Sequence, residues 1–142
     1  AKKHKIHYQL KDYFTINLQL KQMENSIKNI KISDHQIAIS YIGQAGFIIR
    51  YRAFYISTDP YLSYYVDEHC SNDDTLWIRN YPPPITPEER DFINVIICTH
   101  AHYDHMDPDT IARIFKMNKK VKYITPHPAV VQLIVIGIFR KL

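Results

Sequence analysis

The spacing of apolar residues changes along the first half of the chain. Between Tyr13 and Ile30 they recur every three or four positions, which predicts one stripe of an amphipathic helix. The segments QIAISYIG (36–43) and GFIIRYRAFYIS (46–57) are rich in Ile, Tyr and Phe and predict strands, the second of them broken near 51–53. The GQAG between the two segments predicts a tight turn.

Apolar runs and helix starts alternate through the second half of the chain. INVIICTH predicts a strand buried on both faces, and VKYIT predicts another short buried strand. A capping-box pattern begins at Thr86, a helix is predicted to begin after the N-cap Asp107, and a last helix is predicted to stop at Gly137. This alternation favours a layered α/β structure.

Composition places the chain among ordinary globular proteins. It has 142 residues, of which 46% are hydrophobic and 23% charged, and a formal net charge of +4. The lysine clusters could attract an anionic substrate or nucleic acid, but we prefer to interpret them as solvated ends of the chain and of a helix. The sequence shows neither a signal-peptide core, nor an 18-residue apolar stretch, nor a disulfide framework. We therefore expect a cytoplasmic protein outside the membrane.

The candidate chemistry is concentrated in ICTHAHYDHMDP, residues 97–108. His100 and His102 are two positions apart at the end of a predicted strand, so both imidazoles can reach one cation. Asp104 and His105 follow at the turn and can face a second cation. This combination of imidazole and carboxylate suits zinc, or manganese where oxygen ligands dominate. A polar surface loop is the alternative interpretation.

The segment THAHYDHMD resembles the HxHxDH motif of the metallo-β-lactamase superfamily. From about residue 36 onward, the chain is similar to metal-dependent hydrolases of the ascorbate-6-phosphate lactonase group. The segments that carry this similarity are, in chain order, YIGQAGFIIR, STDPYLS, YPPPITPEE, ICTHAHYDHMDPDTI and YITPHPAV. The resemblance implies an αββα sandwich, with a mixed sheet flanked by helices and one or two divalent metal ions, zinc or manganese, at its edge.

The resemblance also implies roles for individual residues. His100 and His102 would match the ligands of the first metal, and Asp104 and His105 those of the second. Asp59 would match an early aspartate that supports the metal site from behind the ligands, although an Asp-Pro pair also suits a turn.

The implied reaction is hydrolysis by metal-activated water of an ester, lactone or phosphoester bond in a small anionic substrate. Asp104 is also the candidate catalytic residue, because it could orient or deprotonate that water. Arg79 and Tyr81 precede a proline run near the expected mouth of the site and could contact the substrate.

The resemblance covers only the first half of the family fold. The sequence stops at Leu142, and the only histidine after His105 is His127, which matches a helix entry and not a ligand. We interpret residues 1–34 as a basic tail and amphipathic helix, and residues 35–142 as the N-terminal half of the domain. We expect either self-association or a missing C-terminal half that supplies further ligands.

Three functions remain open at this point. The first is the metal-dependent hydrolase. The second is a truncated, catalytically incomplete half-domain with a metal-binding or assembly role. The third, a metal-dependent nuclease, is less favoured because the chain lacks an extra domain and interleaved aromatic and basic residues, so nucleic acid is not an expected partner.

Overall fold

The computed structural model describes residues 25–135 and 137–138, and from residue 37 onward this part contains five strands, three α-helices and one 3-10 turn. Residues 25–29 are also helical. In chain order, the elements are β1 (Ile37–Gly43), β2 (Gly46–Tyr51), β3 (Phe54–Thr58), α1 (Tyr65–His69), a 3-10 turn (Pro87–Glu89), β4 (Val95–Ile97), α2 (Pro108–Met117), β5 (Lys122–Ile124) and α3 (His127–Val135).

The strands form one mixed sheet in the order β1-β2-β3-β4-β5. The first three strands are antiparallel neighbours, whereas β3, β4 and β5 run parallel. The mixed sheet with helices confirms the predicted fold class. Among the described residues, none of the helices combines the length and the apolar character that a membrane span requires.

The hairpin between β1 and β2 brings the start of β2 close to the end of β3. Gly43 has φ +98° and Gln44 φ +53°, so the predicted tight turn is confirmed and uses the left-handed region that favours glycine. At Gly46, a Cβ atom would lie 3.0 Å from the carbonyl oxygen of Asp59 and 3.1 Å from that of Gly43. Glycine is therefore required here for the close approach of the two backbones.

One face of the sheet packs into the hydrophobic core. Ile42, Ile48 and Ile96 from the strands are at most 1% exposed and share this core with Ile111 of α2 and Leu133 of α3. The predicted helix start is confirmed, because Asp107 caps α2 by accepting from the backbone N–H of Asp109.

The predicted stop of the last helix is also confirmed. Gly137 has φ +78°, and its N–H donates to the carbonyl of Ile134 while the N–H of Ile138 donates to that of Leu133. These two bonds are the Schellman arrangement that ends many helices.

The opposite face of the sheet is exposed and apolar, and we call it the open sheet face. Strand registers place Ile39, Ile49, Ile56 and Val95 in one row across four strands. Its large side chains are between 38% and 60% exposed at Ile37, Ile39, Tyr41, Phe47, Tyr51, Phe54 and Ile124. Such a contiguous apolar surface is typical of an interaction site.

Two predicted burial patterns are wrong. The VKYIT segment forms β5, but Ile124 is 57% exposed because, like its register partner Ile97, it points to the open sheet face. INVIICTH was expected to be buried on both faces, yet in β4 only Ile96 is fully buried. Val95 and Ile97 are partly exposed because they point to the open sheet face.

The predicted capping box is wrong as well. Thr86 precedes only a single 3-10 turn, and its side chain makes no capping hydrogen bond. Most of the predicted N-terminal amphipathic helix lies outside the described residues. Of its stripe, Ile27 is buried at 4% exposure and Ile30 is 44% exposed. The boundary between residues 1–34 and 35–142 stays a prediction.

Candidate metal and substrate site

Asp59 lies at the carboxyl end of β3, where it links two strands to the histidine loop, residues 99–106. Its backbone N–H donates to the carbonyl of Ile97 at 2.8 Å, and its side chain is buried. The carboxylate accepts the Thr99 N–H at 2.7 Å and the Thr99 hydroxyl at 2.9 Å. Asp59 also has φ +39°, a strained conformation for a residue with a side chain, which persists only where the surroundings hold it.

The same carboxylate orients His105. Asp59 Oδ2 lies 3.1 Å from His105 Nδ1, so the carboxylate occupies the Nδ1 edge of the ring. His105 Nε2 then faces Asp104, 3.6 Å from Oδ2. Asp104 is held in turn by Gln44, whose side-chain amide donates to Oδ2 at 3.1 Å. This places an imidazole nitrogen and a carboxylate oxygen side by side.

His100 and His102 form a second close pair. His100 Nε2 and His102 Nδ1 are 3.1 Å apart, and their ring planes are inclined at 76°. The other nitrogen of His100 contacts the Thr99 hydroxyl at 3.0 Å. The rings of His100 and His105 have centroids 3.9 Å apart, so the two pairs are in contact.

The nitrogen and oxygen atoms of these two pairs are suitable ligands for a divalent cation, but each pair supplies only two of them. Zinc binds histidine nitrogen at about 2.0–2.1 Å, so two nitrogens sharing one tetrahedral ion lie roughly 3.3 Å apart. The 3.1 Å between His100 and His102 is close to that separation. Within residues 25–135 and 137–138, however, no group of three or more His, Cys, Asp or Glu side chains is arranged to hold a metal ion. Each pair therefore needs further ligands.

A cavity of about 630 Å³ opens beside the histidine loop. His102 and Asp104 border it on the loop side, and Trp77 and Ile78 border it from the segment that follows α1. The volume lies in the usual range of small-molecule pockets, about 300–1,000 Å³.

The two residues predicted to contact substrate, Arg79 and Tyr81, both line this cavity. The Arg79 guanidinium donates to the carbonyls of Ser63 at 3.0 Å and Tyr81 at 3.1 Å, and it lies 4.3 Å from the ring centroid of Tyr61. Arg79 thus holds the cavity wall together while bringing a positive charge to it.

Tyr81 is connected to the hairpin turn at the entrance of the site. Its hydroxyl lies 3.4 Å from the Tyr41 hydroxyl and accepts the Gln44 N–H at 3.4 Å. These hydrogen bonds, that of Tyr41 first, lower the pKa of Tyr81. The substrate roles of Arg79 and Tyr81 stay predictions.

The structure adds two residues that the sequence argument missed. Thr99 bridges Asp59, His100 and His105, and its position directly before the HxH motif is a signal that could have identified it. Gln44 contacts Asp104 across 60 positions of sequence, and no local pattern indicates that contact.

No protein-family model matches the chain. It is 27% identical to an uncharacterized protein of Mycobacterium tuberculosis over 85 residues, which are 59% of this chain and 22% of the relative. It is 26% identical to the N-acyl-phosphatidylethanolamine-hydrolyzing phospholipase D 1 of Caenorhabditis elegans over 95 residues, 66% of this chain and 26% of that protein. The chain therefore spans about a quarter of the length of these relatives, and one of them is a hydrolase.

Proposed function

We propose that this chain belongs to a metal-dependent hydrolase of the metallo-β-lactamase superfamily. The observation that carries the proposal is the arrangement of Asp59, His105 and Asp104, which is in contact with the His100–His102 pair and borders the cavity. The similarity to a phospholipase supports hydrolysis as the reaction class.

Each residue has a definite task in this proposal. His100 and His102 would hold one divalent ion, zinc or manganese, and Asp104 and His105 would hold a second. Asp59 fixes the ring of His105 through Nδ1, which leaves Nε2 available as a ligand. When bound, the ions would activate a water molecule and stabilise the negative charge of the transition state.

Asp104 is the candidate acid–base residue of this chain. Its side chain is one-third exposed, borders the cavity and is positioned by the Gln44 amide. Its carboxylate can accept a proton from water at the loop side of the cavity. The proposed substrate carries an ester, lactone or phosphoester bond and an anionic group, for which Arg79 supplies the nearby positive charge.

The second candidate is a half-domain that needs additional protein. Two observations favour it: each ligand pair is incomplete among the described residues, and the open sheet face is uncovered. The aligned relatives are about four times longer than their matched segments. We propose that a second β-sheet, from the rest of a longer polypeptide of this kind, packs on the open sheet face and supplies the remaining ligands.

Metal binding distinguishes the two candidates. The purified chain is titrated with zinc and with manganese, and retained metal is measured by mass spectrometry in wild type, His102→Ala and His35→Ala. His35 is exposed and lies outside the histidine loop. Stoichiometric binding, lost in His102→Ala and kept in His35→Ala, together with hydrolysis of ester, lactone or phosphodiester test substrates, supports the enzyme. If all three proteins retain equally little metal, the hydrolase proposal fails for this chain and the half-domain is favoured.

A further inference from the structure

Three consecutive large apolar residues are exposed on one segment beside the candidate site. Leu76, Trp77 and Ile78 are 69%, 55% and 55% exposed and lie outside any helix or strand. Exposing a run of apolar side chains to water is unfavourable, and such a run on a folded protein typically marks a binding site.

The segment is held by polar groups at both ends. The Ser71 hydroxyl accepts the Trp77 N–H at 2.9 Å, and the Asn72 side-chain oxygen accepts the N–H of Thr75 at 2.7 Å. On the far side, the Arg79 N–H donates to Asp67 at 2.6 Å. These bonds fix the backbone of the segment, so the outward position of its apolar side chains is built into the fold.

The three side chains differ in what they border. Trp77 and Ile78 line the 630 Å³ cavity, whereas Leu76 does not. The cavity thus has a polar end, formed by His102 and Asp104, and an apolar wall.

The charged groups near the apolar wall are already engaged. Asp67 accepts from the Tyr61 hydroxyl at 2.9 Å as well as from Arg79, and the Arg79 guanidinium donates to two backbone carbonyls. A ligand that lies against Trp77 and Ile78 therefore gains most from apolar contact, because these aromatic and aliphatic surfaces are exposed in its absence.

We propose that this cavity binds an amphiphilic molecule: an alkyl or aryl group lies against Trp77 and Ile78 while its polar group faces His102 and Asp104. That this polar group is hydrolysed rests on the proposed function, but the binding does not. Each methylene group that the wall covers tightens binding by up to about fourfold.

The chain carries its own probe for this site, because Trp77 is its single tryptophan. Its fluorescence is followed during titration with n-alkylphosphonates of one to eight carbons, below their micelle-forming concentrations and without added metal. We expect a saturable blue shift and a Kd that falls steadily with chain length.

Two neighbouring substitutions provide the matched comparison. Ile78→Asp places a charge in the wall and should abolish the dependence on chain length, whereas Leu76→Asp should leave it unchanged. Both positions are more than half exposed, so neither change should unfold the chain, and thermal melting checks this. Equal Kd values for methyl- and octylphosphonate, or equal loss in both variants, would overturn the inference.

Cysteine modification gives a second, independent measurement. Cys70 is a free thiol that lines the cavity, whereas Cys98 is buried and therefore shielded from reagents in solution. Octylphosphonate should slow modification of Cys70 at least several-fold, and methylphosphonate should not. Equal rates with both would also overturn the inference.

The two proposals fail in different ways. Chain-length-dependent binding without hydrolysis of any test substrate would contradict the proposed function but support the proposal that the cavity binds an amphiphilic molecule. Hydrolysis with the same kcat/KM for short- and long-chain esters, together with no change in Trp77 fluorescence, would contradict amphiphile binding but support the proposed hydrolase.

Discussion

Asp59 Oδ2 lies 3.1 Å from His105 Nδ1, and the same carboxylate accepts both the N–H and the hydroxyl of Thr99. One buried side chain at the end of β3 therefore positions the histidine loop that follows β4. The two strands are parallel neighbours, so their carboxyl ends meet at one edge of the sheet. The candidate site is built where these ends meet.

Asp59→Asn should weaken metal binding without unfolding the chain. Asparagine keeps the shape and one acceptor oxygen, but it lacks the charge and the second acceptor that serve Thr99 and His105 together. Loss of such a supporting carboxylate typically lowers metal affinity 10- to 100-fold. Zinc titration calorimetry measures the change, with the exposed Asp73→Asn as the control. An unchanged zinc Kd would show that Asp59 has only a structural role.

Gly46→Ala should destabilise the chain because there is no room for a side chain. Its Cβ would lie 2.9 Å from Ile42 Cγ1 and 3.0 Å from the Asp59 carbonyl oxygen, and that backbone oxygen cannot move without disturbing the site. We expect a loss of about 1–3 kcal/mol in the free energy of unfolding, measured by urea denaturation.

Gly137→Ala is the control, because it makes the same glycine-to-alanine substitution where the added Cβ atom has no close neighbour. Nothing lies within 4 Å of a Cβ at Gly137, but its φ of +78° is unfavourable for alanine. The expected cost is about 1 kcal/mol, from backbone conformation alone. A Gly46→Ala protein as stable as wild type would mean that β2 and Asp59 are not packed as closely as described.

The sequence could predict those features whose signals are local. Strand periods located β1 to β3, and Asp107 and Gly137 marked the start of α2 and the end of α3 through ordinary capping chemistry. The second strand segment was predicted to end at residue 57, so Asp59 lies just beyond it. Each of these conclusions depends on neighbouring residues only.

Features that depend on strand order and tertiary contact could not be predicted in this way. VKYIT has the composition of a buried strand, but Ile124 is exposed because it pairs beside Ile97 on the open sheet face, while Val121 is buried. The contact between Gln44 and Asp104 requires the hairpin turn to approach the histidine loop, which no residue spacing reveals. The residues that follow Thr86 are those expected after a helix N-cap, yet only a single 3-10 turn forms there.

Ile39→Asp should reduce self-association of the isolated chain. Ile39 is 60% exposed on the open sheet face, near the centre of the outer strand β1, so wild type should associate through this surface as concentration rises. A charge there disfavours apolar contact and costs little in the folded monomer. Sedimentation velocity measures the mass, and Val131→Asp on α3, 54% exposed, is the control. If wild type stays monomeric at all concentrations and resembles Ile39→Asp, the expectation that the isolated chain self-associates through this face is contradicted.

Glu88→Gln should destabilise the chain at neutral pH and have no effect in acid. Both Glu88 oxygens accept from the Arg113 guanidinium, at 2.5 and 2.7 Å, which ties the 3-10 turn to α2. This hydrogen bonding lowers the pKa of Glu88 below its ordinary value of 4.5. Because the folded pKa is depressed, the stabilisation is fully present above pH 4.5 and is lost as the pH falls through the folded value.

The expected magnitude is small because Glu88 and Arg113 are 46% and 42% exposed. Exposed ion pairs contribute about 0.2–1 kcal/mol, so the variant should lose no more than that at pH 7, and still less in high salt. Urea denaturation between about pH 2 and pH 7 measures the difference from wild type. Glu68→Gln is the control, since Glu68 is exposed and makes no ion pair with the described residues. A difference that persists unchanged at pH 2 would mean that Glu88 acts through packing and not through its charge.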